Sequence, residues 1–414
     1  MPAKGTGRAR QIVIAGGGIA GLTAAIAFSA RGVPVRLFER SARPQEVGAG
    51  LQLSPNATRI LARLGVLDRL HSAAIRPEAV ILRRAADLRE IARVPLGDEA
   101  ARRWSAPYLA LHRADLHAGL LAMASRLPDV EITTGATVSD AAFHPHGVTV
   151  AVDQGGRVRE LDAALLVGAD GVWSNLRRVI GGGESVFAGR VAWRATVRGD
   201  SDALAMMSGY LRRDSVSIFL HRRAHIVAYP IRAGSAINIA AFTRGRMPEE
   251  TWSRPSDGAP LIEALADVAP PFAHFLRSVS GWTMWPLYTV PPRSPWSRAD
   301  GAVVIGDAAH AMTPFAAQGA AAGIEDAYVL AAAVCDQPDD IAAALRRYEG
   351  IRRPRVAAVA RRSALNAFAW HASGPVAAVR DMILATPPGA RLASNTEWLF
   401  GWDPDEALAA TADR

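Results

Sequence analysis

The sequence is 414 residues long, half of them hydrophobic, and its formal net charge of +8 comes almost entirely from arginine. A chain of this size outgrows a single core, so two domains and a helical tail are expected. No stretch interleaves basic and aromatic residues as a nucleic-acid surface does, and the single cysteine, Cys335, excludes disulfides, thiolate metal sites and a dithiol redox pair.

Residues 1–10 read as a polar, basic lead-in without fixed structure. The apolar run Ile12-Val13-Ile14-Ala15 has the composition of a buried parallel strand, and Gly16, Gly18 and Gly21 follow it in the spacing G-x-G-x-x-G. In that arrangement Gly16 allows a tight turn, Gly18 lets backbone approach a pyrophosphate, and Gly21 lets the next helix pack closely on the strand. The free N–H groups at the helix start favour a dianion. A second strand, Val35 to Phe38, ends at Glu39, about 20 residues after the glycines, where a carboxylate accepts hydrogen bonds from an adenosine ribose. No residue from Ile12 to Ala30 is charged, which also suits a signal peptide or a membrane span. The clustered glycines and the amphipathic strand with its terminal acid fit neither, and dinucleotide binding accounts for all of it.

Beyond Glu39 the loop Ser41 to Leu53 contains Gly48-Ala49-Gly50, and Ser54-Pro55-Asn56 opens a helix through Leu64, with Ser54 as N-cap and Pro55 at the first helical position. Glu78 to Arg93 reads as strands, and Tyr108 to His112 as a short strand leading into a helix at Arg113. Val130 to Ile132, Thr137 to Phe143 and Val148 to Val152 read as β-hairpin material; Ala163 to Val167 is another parallel strand, ending in Gly168-Ala169-Asp170-Gly171 before a helix at Ser174. Between Phe187 and Met284 short β-like runs follow one another with one helical segment, Pro260 to Leu276, the pattern of an antiparallel sheet in a domain of its own. Pro286 to Trp296 then reads as a proline-rich crossing back, Ala302 to Ile305 as a buried strand ending in Gly306-Asp307, Gly319 to Val334 as a long apolar helix, and Ile341 to Ala369 as an arginine-studded one.

Three strand ends therefore converge: Gly16 to Gly21, Asp170-Gly171 and Gly306-Asp307. Open α/β sheets bind ligands at that edge, and the helix start at Gly319 offers a second set of free N–H groups. Together with His310, Ala317-Gln318-Gly319-Ala320 and Glu325-Asp326-Ala327, these motifs resemble the single-component (class A) FAD-dependent aromatic hydroxylases, in particular the salicylate, 3-hydroxybenzoate and 6-hydroxynicotinate monooxygenases. The similarity runs from about Gln11 to about Asp403 and takes in Leu111 to Leu116, Ala192 to Ala195, Trp285-Pro286-Leu287 and Trp398 to Asp403. It implies an α/β fold: a Rossmann-like FAD-binding domain of the para-hydroxybenzoate hydroxylase type, an inserted antiparallel β-sheet substrate domain, and C-terminal helices. The corresponding division is 1–186 for the first part of the FAD-binding domain, 187–285 for the β-rich substrate domain, 286–370 for the return and its helix, and 371–414 for the tail.

The resemblance also implies roles. Glu39 would bind the FAD ribose, Arg113 the pyrophosphate, and Asp307 the ribitol and phosphate region. Gly319 and Ala320 would meet the isoalloxazine through backbone groups, Gln52, Val138 and Arg40 would lie against the cofactor, and Asp170 belongs to the motif tied to both FAD and the nicotinamide cofactor. The reaction implied is hydroxylation of a phenolic or hydroxypyridine carboxylic acid with NADH or NADPH and O2 through a flavin hydroperoxide, with or without decarboxylation. The resemblance implies that the nicotinamide binds transiently without a domain of its own, which fits the lack of a second glycine motif.

Deprotonating the ring hydroxyl makes the ring a better nucleophile, so a base is expected beside it. His225 and Tyr229 share one face of a strand, roughly 13 Å apart, and match the family's His-x-x-x-Tyr. Histidine suits the base and tyrosine a donor or relay; the ordinary alternative is a strand histidine and a core tyrosine. Some relatives carry histidines where Gln52 and Phe315 stand, which leaves Gln318 as a candidate to hydrogen-bond the substrate hydroxyl. Arg194, Arg212, Arg223 and Arg232 are candidate carboxylate anchors, each read more readily as a solvated strand residue. His310 is expected beside the cofactor loop. The cluster Arg352, Arg353, Arg355, Arg361 and Arg362 is read as a solvated helix flank in preference to a membrane contact. The expected partners are a small aromatic substrate and O2, with no nucleic acid, membrane or metal, in a cytoplasmic monomer or homodimer. Two rivals remain: an FAD oxidase or dehydrogenase without oxygen insertion, and a non-enzymatic flavin-bound redox sensor.

Overall fold

In a computed structural model, the structure describes residues 11–43, 50–145, 147–246, 254–385 and 395–411; the lead-in and Gly48-Ala49 lie outside the described residues. The strand Ile12–Ala15 is buried along its whole length, with a parallel neighbour on each edge and the helix Ile19–Ser29 packed against it. It lies inside a six-stranded sheet whose order is Ser297–Arg298, Ala302–Val304, Leu165–Gly168, Ile12–Ala15, Val35–Glu39 and Val130–Thr134. All pairings are parallel except that of the two-residue edge strand at Ser297. The helices Ile19–Ser29 and Gly319–Asp336 pack together, closely enough that a Cβ at Gly323 would stand 3.2 Å from that of Ala20.

Val130–Thr134 departs from the sequence reading. It pairs in parallel with Val35–Glu39 as the far edge of the nucleotide sheet, and its mixed burial is that of an edge strand, which imitates a hairpin arm. The hairpin proper is Thr137–His144 with Gly147–Gln154, extended by Arg157–Ala163 into a three-stranded meander.

The second sheet has eight strands in the order Arg254–Ser256, Trp282–Thr289, Val186–Arg198, Ala236–Arg244, Ala224–Ile231, Ser215–Leu220, Ala79–Arg84 and Glu90–Pro95. It is antiparallel apart from the parallel pairing of Ser215–Leu220 with Ala79–Arg84, so two of its strands come from well before residue 187. Pro286 belongs to a strand and not to a crossing: it sits opposite Val191, beside the register shift between Phe187 and Val191, where a missing N–H is tolerated. The expected single helix from Pro260 to Leu276 is two, Ala259–Ala264 and Pro270–Ser278. Pro270 and Pro271 cannot continue a helix interior but suit the first turn of a new one.

Alternation along the strands sorts this sheet into two faces. Ile226, Ala228, Ile239 and Ala241 join Phe272, Phe275 and Trp282 in an apolar core on one side. Val227, Tyr229, Ala240 and Phe242 belong to a separate cluster on the other, which faces the nucleotide-binding half. The halves touch at Gly50, where a Cβ would lie 2.7 Å from the Tyr229 ring and 2.8 Å from Asn238, whose Oδ1 accepts the Gly50 N–H at 2.8 Å.

The two long helices Gly319–Asp336 and Ile341–Trp370 are joined by buried charge. Arg352 donates from Nε to Asp326 Oδ1 at 2.7 Å and from Nη1 to Glu325 Oε2 at 2.6 Å, while Arg355 donates to Glu325 Oε1 at 2.9 Å. Arg352 is wholly buried and Arg355 nearly so, which corrects the reading of the basic cluster as a solvated flank for those two residues. From the segment near the chain end, the Trp398 and Leu399 carbonyls accept from Arg355 at 2.7 and 2.8 Å, and the Trp402 ring lies under both guanidinium groups at 5.1 and 4.9 Å.

Burial alone would raise the Glu325 and Asp326 pKa values, but Arg355 and Arg352 outweigh it at Glu325, His310 and Arg352 outweigh it at Asp326, and both end below the usual carboxylate range. Their contribution is therefore fully present above the unfolded carboxylate pKa of about 4 and is lost as pH falls through the lower folded values. Replacing Arg352 by Met takes from both buried acids the cation they share, and the expected loss is about 3–5 kcal/mol in urea unfolding at pH 7, shrinking as the acids protonate. A loss below about 1 kcal/mol at pH 7 would refute the central place given to this network.

Candidate active site

A cavity of about 1440 Å3 lies between the carboxyl edge of the parallel sheet and the inner face of the eight-stranded one. At its nucleotide end the chain turns at Gly16 with φ +108°, where a Cβ would stand 2.4 Å from the Ala169 carbonyl, so the turn admits only glycine. Nothing lies within 4 Å of a Cβ position at Gly18, which leaves that backbone open to a ligand. Gly21 serves the turn and is not part of the wall: its Cβ would be 1.9 Å from the Gly16 carbonyl. Glu39 accepts the N–H groups of Gly17 and Ser41, each at 2.7 Å, which fixes its carboxylate beside the turn with lone pairs to spare.

Arg40, Gln52, Arg113, Val138, Asp170, Asp307, Gly319 and Ala320 line the same cavity as Gly16, Gly18 and Glu39. Asp170 caps the helix Asn175–Val179 through Oδ2, at 2.8 Å from the Asn175 N–H, and its Oδ1 is buried with no hydrogen-bond partner among the described residues. Asp307 begins the short helix Asp307–His310, and the turn before it is held by the Gly306 N–H donating to Asp326 Oδ2 at 2.8 Å. A glycine cradle, an orphaned acid oxygen and an open helix start at Gly319 are what an extended nucleotide with a pyrophosphate and a flat ring requires. His310 lies beside this turn as expected, bonded to the same Asp326 oxygen at 2.5 Å.

The other end of the cavity is the sheet face carrying His225 and Tyr229. His225 is fully buried, stacked on Phe242 at 4.8 Å, with Phe315 and Trp370 edge-on at 5.0 and 4.8 Å. Burial, then His371 and Arg190, hold its pKa well below the ordinary value, so at neutral pH it is an uncharged imidazole. Tyr229 is buried and its phenol is pushed up by burial, against the pull of Arg194 and a hydrogen bond from Gln52, so it keeps its proton as a donor. Gln52 in turn accepts from the Tyr108 hydroxyl at 2.7 Å. Arg194 also lines the cavity, its Nε is buried without a hydrogen-bond partner, and its guanidinium lies 5.5 Å from the Trp285 ring. Arg212, by contrast, is committed to Asp214 on the exposed side.

Gln318 is not brought to the substrate end. Its Nε2 donates to Ser54 Oγ at 2.8 Å and its Oε1 accepts from Asn56 Nδ2 at 3.1 Å, and Asn56 also donates to Glu325 at 2.6 Å. Ser54 is correspondingly drawn away from capping its own helix. This turns against the reading of Gln318 as a substrate ligand: its amide is directed to Ser54 and Asn56, and it does not line the cavity. The sequence also gave no sign of Tyr108 or His371, because each reaches the site from a distant segment. The acids at 325 and 326 in an apolar helix were the available sign of buried arginine partners.

Residues 9–363 match the family model described as FAD binding domain, and the chain belongs to that family of flavoproteins. It is 34% identical over 395 residues to a 3-amino-4-hydroxybenzoate 2-monooxygenase of Streptomyces platensis, covering 95% of this chain and 96% of the relative. It is 30% identical over 400 residues to a 3-hydroxybenzoate 6-hydroxylase of Klebsiella oxytoca, covering 97% and 98%. A solved salicylate hydroxylase substrate complex shares the fold, with TM-score 0.80 at 24% identity over 97% of this chain and 98% of that one.

Two substitutions separate cradle from core. Gly16→Val forces a side chain into the Ala169 carbonyl, so purified protein is expected to lose bound FAD, read from the flavin absorbance per chain. Gln318→Ala is expected to cost about 1–3 kcal/mol in thermal or urea unfolding through the buried Ser54 and Asn56 groups it strands, with KM for the aromatic substrate unchanged. A raised KM at unchanged stability would return Gln318 to the substrate site.

Proposed function

We propose that this flavoprotein hydroxylates a phenolic or hydroxypyridine carboxylic acid, with NADH or NADPH as reductant and O2 as the oxygen source. The observation that carries the reading is geometric: the glycine turn at Gly16, the acid at Asp307 and the His225–Tyr229 face all border one cavity. Bound FAD would supply the activated oxygen. Glu39, Asp170, Asp307 and the backbone at Gly18, Gly319 and Ala320 would hold it, with Arg40, Arg113, Gln52 and Val138 along its length.

The chain's own residues then prepare the ring. His225, neutral and stripped of water, takes the proton of the ring hydroxyl at Nε2, which has no other partner. Tyr229 donates to a ring oxygen or the carboxylate, oriented by its bond to Gln52. Arg194 adds positive charge beside Tyr229 and favours an anionic substrate on that side. The apolar walls from Val227, Ala240, Phe242 and Phe315 exclude water from the reacting ring. The chain works in this reading as a cytoplasmic monomer or homodimer that handles one small aromatic substrate at a time; no helix among the described residues is long and apolar enough to cross a membrane.

A panel of hydroxybenzoates, aminohydroxybenzoates and hydroxypyridine carboxylates, scored for NAD(P)H consumption coupled to product under 18O2, is expected to place the label on the ring. Peroxide as the only oxygen product from every panel compound would favour an oxidase. His225→Ala is expected to lower hydroxylation by about 10²–10⁴, the scale of a lost general base, with flavin content unchanged. Equal losses of both would make His225 structural.

A further inference from the structure

His371 stands at the end of the helix Ile341–Trp370, 146 residues from His225, and its Nε2 lies 3.2 Å from His225 Nδ1. Its other nitrogen, Nδ1, lies 2.6 Å from the Ala367 carbonyl. A carbonyl oxygen only accepts, so the hydrogen of a neutral His371 is on Nδ1 and its Nε2 carries a lone pair. That lone pair accepts from His225 Nδ1–H. A neutral His225 with its hydrogen on Nδ1 has a bare Nε2; that atom is buried with no hydrogen-bond partner among the described residues, on a residue that lines the cavity. The placement of the hydrogens follows from the short contact of His371 with the Ala367 carbonyl at one end of the pair.

We propose that His371 is a positioning residue that locks His225 in the tautomer whose Nε2 is free to act as base toward the ring hydroxyl. The inference rests on the reading of His225 as the base. The charged groups facing the pair are Arg190, from the strand Val186–Arg198, and Arg244, from Ala236–Arg244, and both disfavour an additional positive charge there. Burial acts in the same direction on both rings, while the carbonyls of Ala367 and Phe242 pull the other way on His371. The pair is thus neutral at pH 7. If His371 gains a proton at low pH, its Nε2 becomes a donor, the bond reverses, and His225 must carry its hydrogen on Nε2; the base is silenced before it is itself charged.

The test uses FAD-loaded protein labelled with 15N at its ten histidines, with His225→Gln identifying the His225 signals. At pH 7 the expected spectrum has His225 Nδ1 protonated and Nε2 in the range of an unprotonated ring nitrogen. His371→Leu is expected to give His225 a mixture of tautomers and to lower kcat about tenfold, the scale of one orienting hydrogen bond, with KM and flavin content unchanged. His371→Gln, whose Oε1 also accepts from Nδ1–H, is expected to restore most of kcat and the single tautomer. The kinetic arm uses 3-amino-4-hydroxybenzoate and 3-hydroxybenzoate as probes. Protonated Nε2 in the wild-type spectrum, an unchanged tautomer and kcat in His371→Leu, or equal defects in the Leu and Gln variants would each overturn the proposal. Full hydroxylation by His225→Gln would instead overturn the assignment of the base, whatever the spectrum showed.

Discussion

Five side chains carry the architecture of this site without touching its contents: Glu325 and Asp326 on one helix, Arg352 and Arg355 on the next, and His310 at the turn between strand and helix. Ionised groups in an interior are tolerated only when paired and hydrogen-bonded on every side, so the geometry of the network has little freedom. That rigidity is exported. Asp326 holds the Gly306 N–H and so sets the turn that presents Asp307, while Glu325 holds Asn56 and, through it, Gln318 just before the helix start at Gly319. Two pieces of backbone that face the cofactor are placed by acids that never meet it.

The opposite wall is built on a different principle. Period-two alternation places His225, Val227 and Tyr229 on one face of their strand and Ile226 and Ala228 in a separate apolar core. The same apolar packing that fixes the strand strips His225 of water, and desolvation is what keeps its imidazole uncharged at physiological pH. The cofactor half relies on exposed backbone and ionised acids, whereas the substrate half relies on buried neutral groups. Gly50 is one point where they meet, small enough to let the loop strand rest on Tyr229.

Local chemistry was legible in the sequence, and long-range chemistry was not. The turn at Gly16, the acid at Glu39 and the strand ends at Asp170 and Asp307 carry their meaning in short spacings, and the structure brings all of them to one cavity. Val130–Thr134 was misread because an edge strand and a hairpin arm show the same half-exposed pattern, and Pro286 because a proline beside a register shift looks like a proline in a loop. Gln318 was misassigned because a polar side chain next to a cofactor-binding helix start has two directions to point, and only its partners at Ser54 and Asn56 decide between them. Arg352 and Arg355 were misread for a related reason: charge spacing along one helix does not reveal acids that arrive from another.

The closing segment gives the chain an order of assembly. Arg59 donates to the Trp402 carbonyl across 343 residues, and Trp398, Leu399 and Trp402 seal the two buried guanidinium groups. Until those residues are in place, the two cations have no lid and the helix pair beneath them is unfinished. Contacts of such long separation come late and slow the search for the native state. The turn at Gly306, held by Asp326, therefore depends on contacts that close late.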